Sequence, residues 1–148
     1  MSNPNIKFAM TRGVFCAAVT LLAAGWAQAD VAVVVGAKSP VGSLTKEQSS
    51  EIFMGRATSF PGGGTATPLD QPEASPLREE FYSKVAGKSA AQAKSNWAKL
   101  SFTGKGTPPK EGQNSADIKK QLADNPSLVG YIEKSAVDGS VKVIFSAQ

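Results

Sequence analysis

The chemistry open to this chain is set first by what it lacks. Its 148 residues contain no histidine, and its one cysteine is Cys16. Beyond the first 29 residues, then, the commonest general base, the thiol nucleophile and the usual zinc ligands are all missing. Carboxylates, hydroxyls and amines remain. Asp70, Glu73, Glu79 and Glu80 cluster in sequence, and paired carboxylates are what a glycoside hydrolase uses. Glu79 and Glu80 are equally what the start of a helix attracts, because acids are favoured beside its positive end. That second reading accounts for them without catalysis. A hydrolase using Asp70 or Glu73 with Ser75 needs a base oriented onto the hydroxyl, and none is evident. No catalytic residue, metal or cofactor is expected.

Binding is better supported. Ser75-Pro76 is a strong helix start, Ser as N-cap and Pro at the first helical position. A helix that follows a parallel strand offers unpaired N–H groups and a positive dipole to an anion, and ligands of open α/β sheets collect at the carboxyl ends of the strands. The Ser75 hydroxyl can cap its own helix or donate to a ligand. Arg78, one turn further, and Lys105, between Gly104 and Gly106, are the cationic candidates. For Arg78 the alternative is a solvent-facing side chain near the carboxylates, as is usual for arginine. The run Gly62-Gly63-Gly64 has neither the Lys-Ser/Thr nor the helix start of a phosphate-cradling loop, so it reads as a flexible turn.

The elements that must position these residues can be read in order. Val31 to Val35 is a β-branched run typical of a strand covered on both faces. Thr45 and Gln48 form a capping box for a helix with Leu44, Ile52, Phe53 and Met54 to bury, and Gly55 stops it. A short strand, Thr65 to Leu69, follows, and strand, helix, strand normally means a parallel pair. The Ser75 helix runs to about Ala86, burying Leu77, Phe81 and Val85, and ends at Gly87. Ser89 and Gln92 form a second capping box for a helix from Ala90 to about Leu100, packed as a hairpin on its predecessor. Trp97 in this helix reads as core, while Phe102 and Tyr131 are candidates for a stacking or partner surface. A loop covers Phe102 to Pro109. Ser115 caps a helix from Ala116 to Asp124 with Ile118 and Leu122 inward, and strands follow at Leu128 to Glu133 and Val141 to Phe145, turned at Asp138-Gly139. The fold class is α/β: a small, mainly parallel sheet flanked by helices on both faces.

Between Ser39 and Phe60 the chain shows a small polar loop, Leu44-Thr45 with Gln48, Ile52-Phe53 with Gly55, and then an aromatic. This resembles the second lobe of the periplasmic phosphate-binding proteins, the solute receptors of phosphate ABC transporters with the type 2 periplasmic binding protein fold. Ser75 to Phe81, Phe102 to Pro109 and Val129 to Glu133 match that lobe in the same order. The resemblance implies a one-lobed, non-catalytic receptor for inorganic phosphate or another small oxyanion, working with an ABC transporter or another envelope protein. In that family the site turn carries an Arg, then Ser-Gly-Thr opening the helix, all touching the oxyanion. Placing Phe81 on the family's following Phe puts Gln71 at the Arg, Ser75 at the Ser, Pro76 at the Gly and Leu77 at the Thr. Gln71 lacks the charged, bidentate fork, Pro76 has no N–H, and Leu77 keeps only its backbone donor. The family's receptors close two lobes on the ligand, and this chain has length for one. The alternative function is an interaction module that kept the lobe, lost the ligand, and binds another envelope protein through the cleft face. An exposed apolar patch there would favour this reading, and a narrow polar pocket at Ser75 would favour the anion.

Residues 1–29 read as an export signal. Lys7 and Arg12 give a basic start, Val14 to Ala24 an uncharged apolar core, and Ala27-Gln28-Ala29 the small-x-small cleavage pattern. The apolar core is shorter than the ~20 residues of a membrane span, and Gly13-Val14-Phe15 before Cys16 is a poor lipoprotein box. Cleavage after Ala29 leaves residues 30–148 as a single periplasmic domain without membrane insertion. Lys7 and Arg12 are the only charged residues before Asp30, so the formal net charge falls from +4 to +2 on cleavage. The remaining basic residues are scattered singly, which argues against nucleic-acid binding. Sequence leaves open whether two copies pair to rebuild a two-lobed cleft.

Overall fold

In the computed structural model residues 30–148 are described, and the export-signal reading of residues 1–29 lies outside them. Strand β1, Val31–Gly36, is buried along its whole length, as its β-branched run requires. Helix α1, Lys46–Phe53, starts at the expected capping box: Thr45 Oγ1 accepts from the Gln48 N–H at 3.1 Å, and Gln48 Oε1 accepts from the Thr45 N–H at 2.9 Å. Gly55 ends it at φ 75°, where a Cβ would lie 2.7 Å from both Trp97 and Leu100.

The connection from α1 to β2, Thr67–Asp70, corrects one expectation. Strands β1 and β2 are neither neighbours nor parallel. Between α1 and β2 the chain makes a hairpin, with Ser59 bridged to Thr65 and the Phe60 N–H donating to Gly64 O at 2.9 Å. Gly62, Gly63 and Gly64, at φ 89°, 108° and 91°, close it. This extra reversal turns β2 the opposite way from β1. The same hairpin takes Thr65, so β2 begins two residues later than expected.

Helix α2, Pro76–Phe81, has Ser75 at its N-cap, but the hydroxyl makes no capping hydrogen bond. The helix then widens into a π-helical segment, Tyr82–Ala86, closed by Gly87 at φ 63°. Leu77, Phe81 and Val85 are buried as their spacing predicts. Helix α3, Ala90–Phe102, opens on the Ser89–Gln92 capping box. A two-residue strand, β3, Lys110–Glu111, follows the 103–109 loop and was not evident in the sequence. Helix α4 is Ser115–Asp124, capped by Asn114, whose side chain accepts from the Asp117 N–H, so the cap lies one residue before the expected Ser115. Strand β4, Leu128–Glu133, falls where expected, and β5, Val141–Ala147, runs two residues longer.

The five strands form one sheet in the order β3-β2-β4-β1-β5. β2 is parallel to both β3 and β4, whereas β1 is antiparallel to both β4 and β5. The α/β class with helices on both faces is as expected; the pairings within it are mixed. The larger core cluster covers one face under α1, α2 and the π segment, with Phe53, Phe81, Tyr82 and Tyr131 at its centre. Ile118 and Leu122 of α4 close the other face against Ala32, Val34, Leu69 and Ile132. No helix among the described residues is long and apolar enough to cross a membrane.

Candidate functional site

The route from β2 to β3 passes through α2 and α3 on one face, and the route from β3 to β4 passes through α4 on the other. The chain therefore leaves the carboxyl end of β2 with strands on both sides and helices departing to opposite faces, the arrangement at which α/β sheets place ligands. Asp70 is the last residue of β2 and Glu111 the last of β3.

Asp70 is 1% exposed. The Tyr82 hydroxyl donates to its Oδ2 at 2.8 Å, the Tyr131 hydroxyl donates to its Oδ1, and the Gln71 N–H donates to Oδ1 at 3.0 Å. Burial raises its pKa above the usual carboxylate value, opposed by the bonds from Tyr131 and Tyr82 and by the charge on Arg78. Burial and the neighbouring carboxylate push both tyrosine pKa values up, so their hydroxyls stay protonated donors. The π segment begins at Tyr82, the residue whose hydroxyl reaches the carboxylate; such segments recur at functional sites.

Arg78 is not a solvent-facing side chain. It is 7% exposed, and its guanidinium spans the ends of the two parallel strands. Nη2 lies 3.3 Å from Asp70 Oδ2, and Nη1 donates to Glu111 Oε1 at 2.7 Å and to the Gln71 carbonyl at 3.2 Å. Burial opposes its charge, and Asp70 and Glu111 outweigh that, so its pKa rises and the group stays cationic. Its buried Nε has no hydrogen-bond acceptor, so the protein alone leaves part of the fork unsatisfied.

The structure brings only some of the candidates together. Gln71 is buried, with Nε2 donating to the Tyr131 carbonyl at 3.0 Å and to Ser115 Oγ at 3.2 Å, and Ser115 in turn donates to Glu133. Leu77 lies in the larger core cluster. Ser75 is half-buried at the start of α2, and among the described residues no carboxylate is hydrogen-bonded to its hydroxyl. Lys105 lines a separate cavity of about 240 Å³ with Thr58, Thr67 and Gly106, away from Arg78. Arg78 instead shares a cavity of about 460 Å³ with Glu73, Lys94 and Ser95. Lys94 is ion-paired to Glu73, which lowers the Glu73 pKa. Sequence reasoning missed Glu111, Lys94 and Tyr82, and it took Tyr131 for a stacking or partner surface where the structure puts its hydroxyl on Asp70. A local signal existed for Tyr82 alone, since it follows Phe81 on the helix that Ser75 opens.

Trp97 is core, as expected, and its Nε1 donates to the Phe53 carbonyl at 2.9 Å. Tyr131 is buried rather than a stacking surface, and Phe102, at 93% exposed, projects from the end of α3. Among the described residues no group of acidic side chains could hold a metal ion.

No protein-family model matches the chain, and no curated protein matches it in sequence. Its fold does match solved structures. A Clostridium perfringens protein assigned as a phosphate ABC transporter substrate-binding protein, crystallised with bound phosphate, is 25% identical with a TM-score of 0.63, over 78% of this chain and 45% of its own. An ABC-type phosphate transport receptor from Vibrio cholerae is 24% identical with a TM-score of 0.61, over 78% and 46%. PstS from Borrelia burgdorferi shares the fold at 11% identity and a TM-score of 0.56, over 78% and 47%. The chain thus spans about half the length of each. The likeness to phosphate-transport binding proteins holds in the fold, over the length of one lobe.

Proposed function

We propose that this chain is an exported, non-catalytic substrate-binding-protein-like domain that serves phosphate uptake in the periplasm, taking inorganic phosphate or another small oxyanion beside Arg78 and Ser75. The observation that carries the reading is Arg78. A buried guanidinium at the carboxyl ends of two parallel strands lines a cavity of about 460 Å³ that Lys94 also lines. A guanidinium is the group best matched to an oxyanion, and a cavity of this size is typical for a small ligand. Export is supported by the basic, apolar and small-residue segments of residues 1–29. The anchor differs from the one expected by alignment: α2 is six residues long, Pro76 offers no N–H, and the charge comes from Arg78 in place of Gln71. An ABC transporter is the partner this function implies.

Isothermal titration with phosphate at low salt tests the reading. Binding is expected to weaken at least tenfold in Arg78→Lys, which keeps the charge and loses the fork, and severalfold in Ser75→Ala. No heat up to millimolar phosphate, with circular dichroism showing an intact fold, would sink it.

A second reading has its own support. Arg78 is already engaged by Asp70 and Glu111, Gln71 and Leu77 face inward, and Phe102 is almost wholly exposed. These favour an interaction module that meets another envelope protein through a surface that includes Phe102. Absence of phosphate binding together with loss of partner capture in Phe102→Ser would support this alternative.

A further inference from the structure

The oxyanion cavity has a neighbour with a different character. A second cavity, about 230 Å³, shares Glu73, Arg78 and Lys94 with the first and is completed by Trp97, Ala98, Pro108, Pro109 and Glu111. Trp97 and Ala98 come from α3, and the two prolines from the loop that leads into β3. The lining common to the two cavities is charged, and most of what the second one adds is apolar.

The charges lining the two cavities balance. Arg78 and Lys94 stand against Glu73 and Glu111, with the Asp70 carboxylate behind Arg78. A bare inorganic dianion gains little attraction from a lining of zero net charge, and it leaves the apolar part wetted. An anionic head on an apolar body meets Arg78 with one end and covers Trp97, Ala98 and the prolines with the other. Removing that apolar surface from water is the favourable contribution that inorganic phosphate cannot make.

We propose that this site prefers a small organic oxyanion, a head group carried on an aromatic or short aliphatic body, over inorganic phosphate. The inference rests on the oxyanion reading above and names the class of ligand for the same site. Phosphonates, phosphate monoesters and carboxylates share this chemistry.

Titrations of the protein with inorganic phosphate, phenylphosphonate, benzoate and benzyl alcohol at low salt, in wild type and Ala98→Gln, test it. Ala98 is an exposed position of α3, and glutamine is neutral and a good helix former, so the variant fills the apolar part without altering charge or fold. Phenylphosphonate or benzoate is expected to bind at least tenfold more tightly than phosphate, with the advantage lost in Ala98→Gln while phosphate affinity stays within twofold. Whichever of the two binds better identifies the head group. Equal binding of phosphate and the aryl anions would overturn this inference and leave the oxyanion reading standing. Benzyl alcohol binding as tightly as the anions would overturn it as well, by removing the head group from the account. Failure of every probe would overturn both readings.

Discussion

The two faces of the sheet are built on opposite principles. On one, rings hold the helices off the strands: Phe81 stacks on Tyr131 with centroids 3.8 Å apart, and Phe53 and Tyr82 meet them edge-on. On the other, side chains are left out so that α4 can settle onto the backbone. A Cβ at Gly36 would lie 2.3 Å from the Leu122 carbonyl oxygen, one at Gly112 2.4 Å from Ile118, and one at Gly130 2.8 Å from Ile118. Strand β4 serves both, with Gly130 under α4 and the adjacent Tyr131 on the ring side, as the two-residue alternation of a strand demands. The ring face also accepts a buried carboxylate, because two tyrosine hydroxyls are there to meet it. The glycine face is aliphatic throughout and offers no such partner. The buried carboxylate and the tyrosines that hold it therefore belong to the ring side of the sheet.

Removing the carboxylate should break this contrast most severely. Asp70→Ala leaves the Arg78 guanidinium buried with only the half-exposed Glu111 as a charged partner, and strips both tyrosines of their acceptor. Breaking one partner of a buried pair costs about 3–5 kcal/mol, so urea unfolding should show a loss of that order. A loss below about 1 kcal/mol, the level of exposed pairs, would mean the ring face does not depend on its acid. The glycine face is tested by Gly36→Ala. The obstructing atom is a backbone carbonyl that cannot rotate aside, and overpacking of this kind costs about 1–3 kcal/mol. Hydrogen exchange should quicken in α4 and leave α1 unchanged; equal effects on both helices would show the faces to be coupled.

The smallest effect is in pH dependence, and its sign separates the buried acid from an exposed one. The folded-state pKa of Asp70 is raised above 3.8, so in that window the folded chain holds a proton that the unfolded chain has released. Its contribution to stability is fully present below 3.8 and declines as pH rises through the raised value. Asp138, ion-paired to Lys119, is lowered, so its contribution is present above 3.8 and fades as pH falls. The stability of wild type relative to Asp70→Asn should therefore decline on going upward from pH 3.8, as followed by urea midpoints. A gap that widened instead would reverse the sign assigned to Asp70.

What could be read in the sequence was what lies within a turn of itself. The capping boxes at Thr45–Gln48 and Ser89–Gln92, the stop at Gly87 and the inward spacing of Ile118 and Leu122 need no residue more than four positions away. The site is made of longer reaches. Tyr131 meets Asp70 across 61 positions and Arg78 meets Glu111 across 33, and no local pattern announces either. Arg78 could be taken for a surface residue because the partners that hold it inside lie on another strand. The direction of β2 depended on a hairpin whose three glycines read as a flexible turn without showing that the chain doubles back there.

The segment from Tyr82 to Ala86 also limits how the chain can change length. A π turn already accommodates a residue that an α turn would exclude, so deleting one position between 82 and 86 lets the helix relax to ordinary winding with little rotation, whereas adding one there turns everything after it by about 100°. Gly87 would then lose the left-handed position at which it turns the chain, and α3 would leave in a different direction, carrying Trp97 away from Phe53 and Lys94 away from Glu73. Substitutions at the exposed Ser83 leave the count intact. In this part of the molecule the number of residues constrains descent more tightly than their identity.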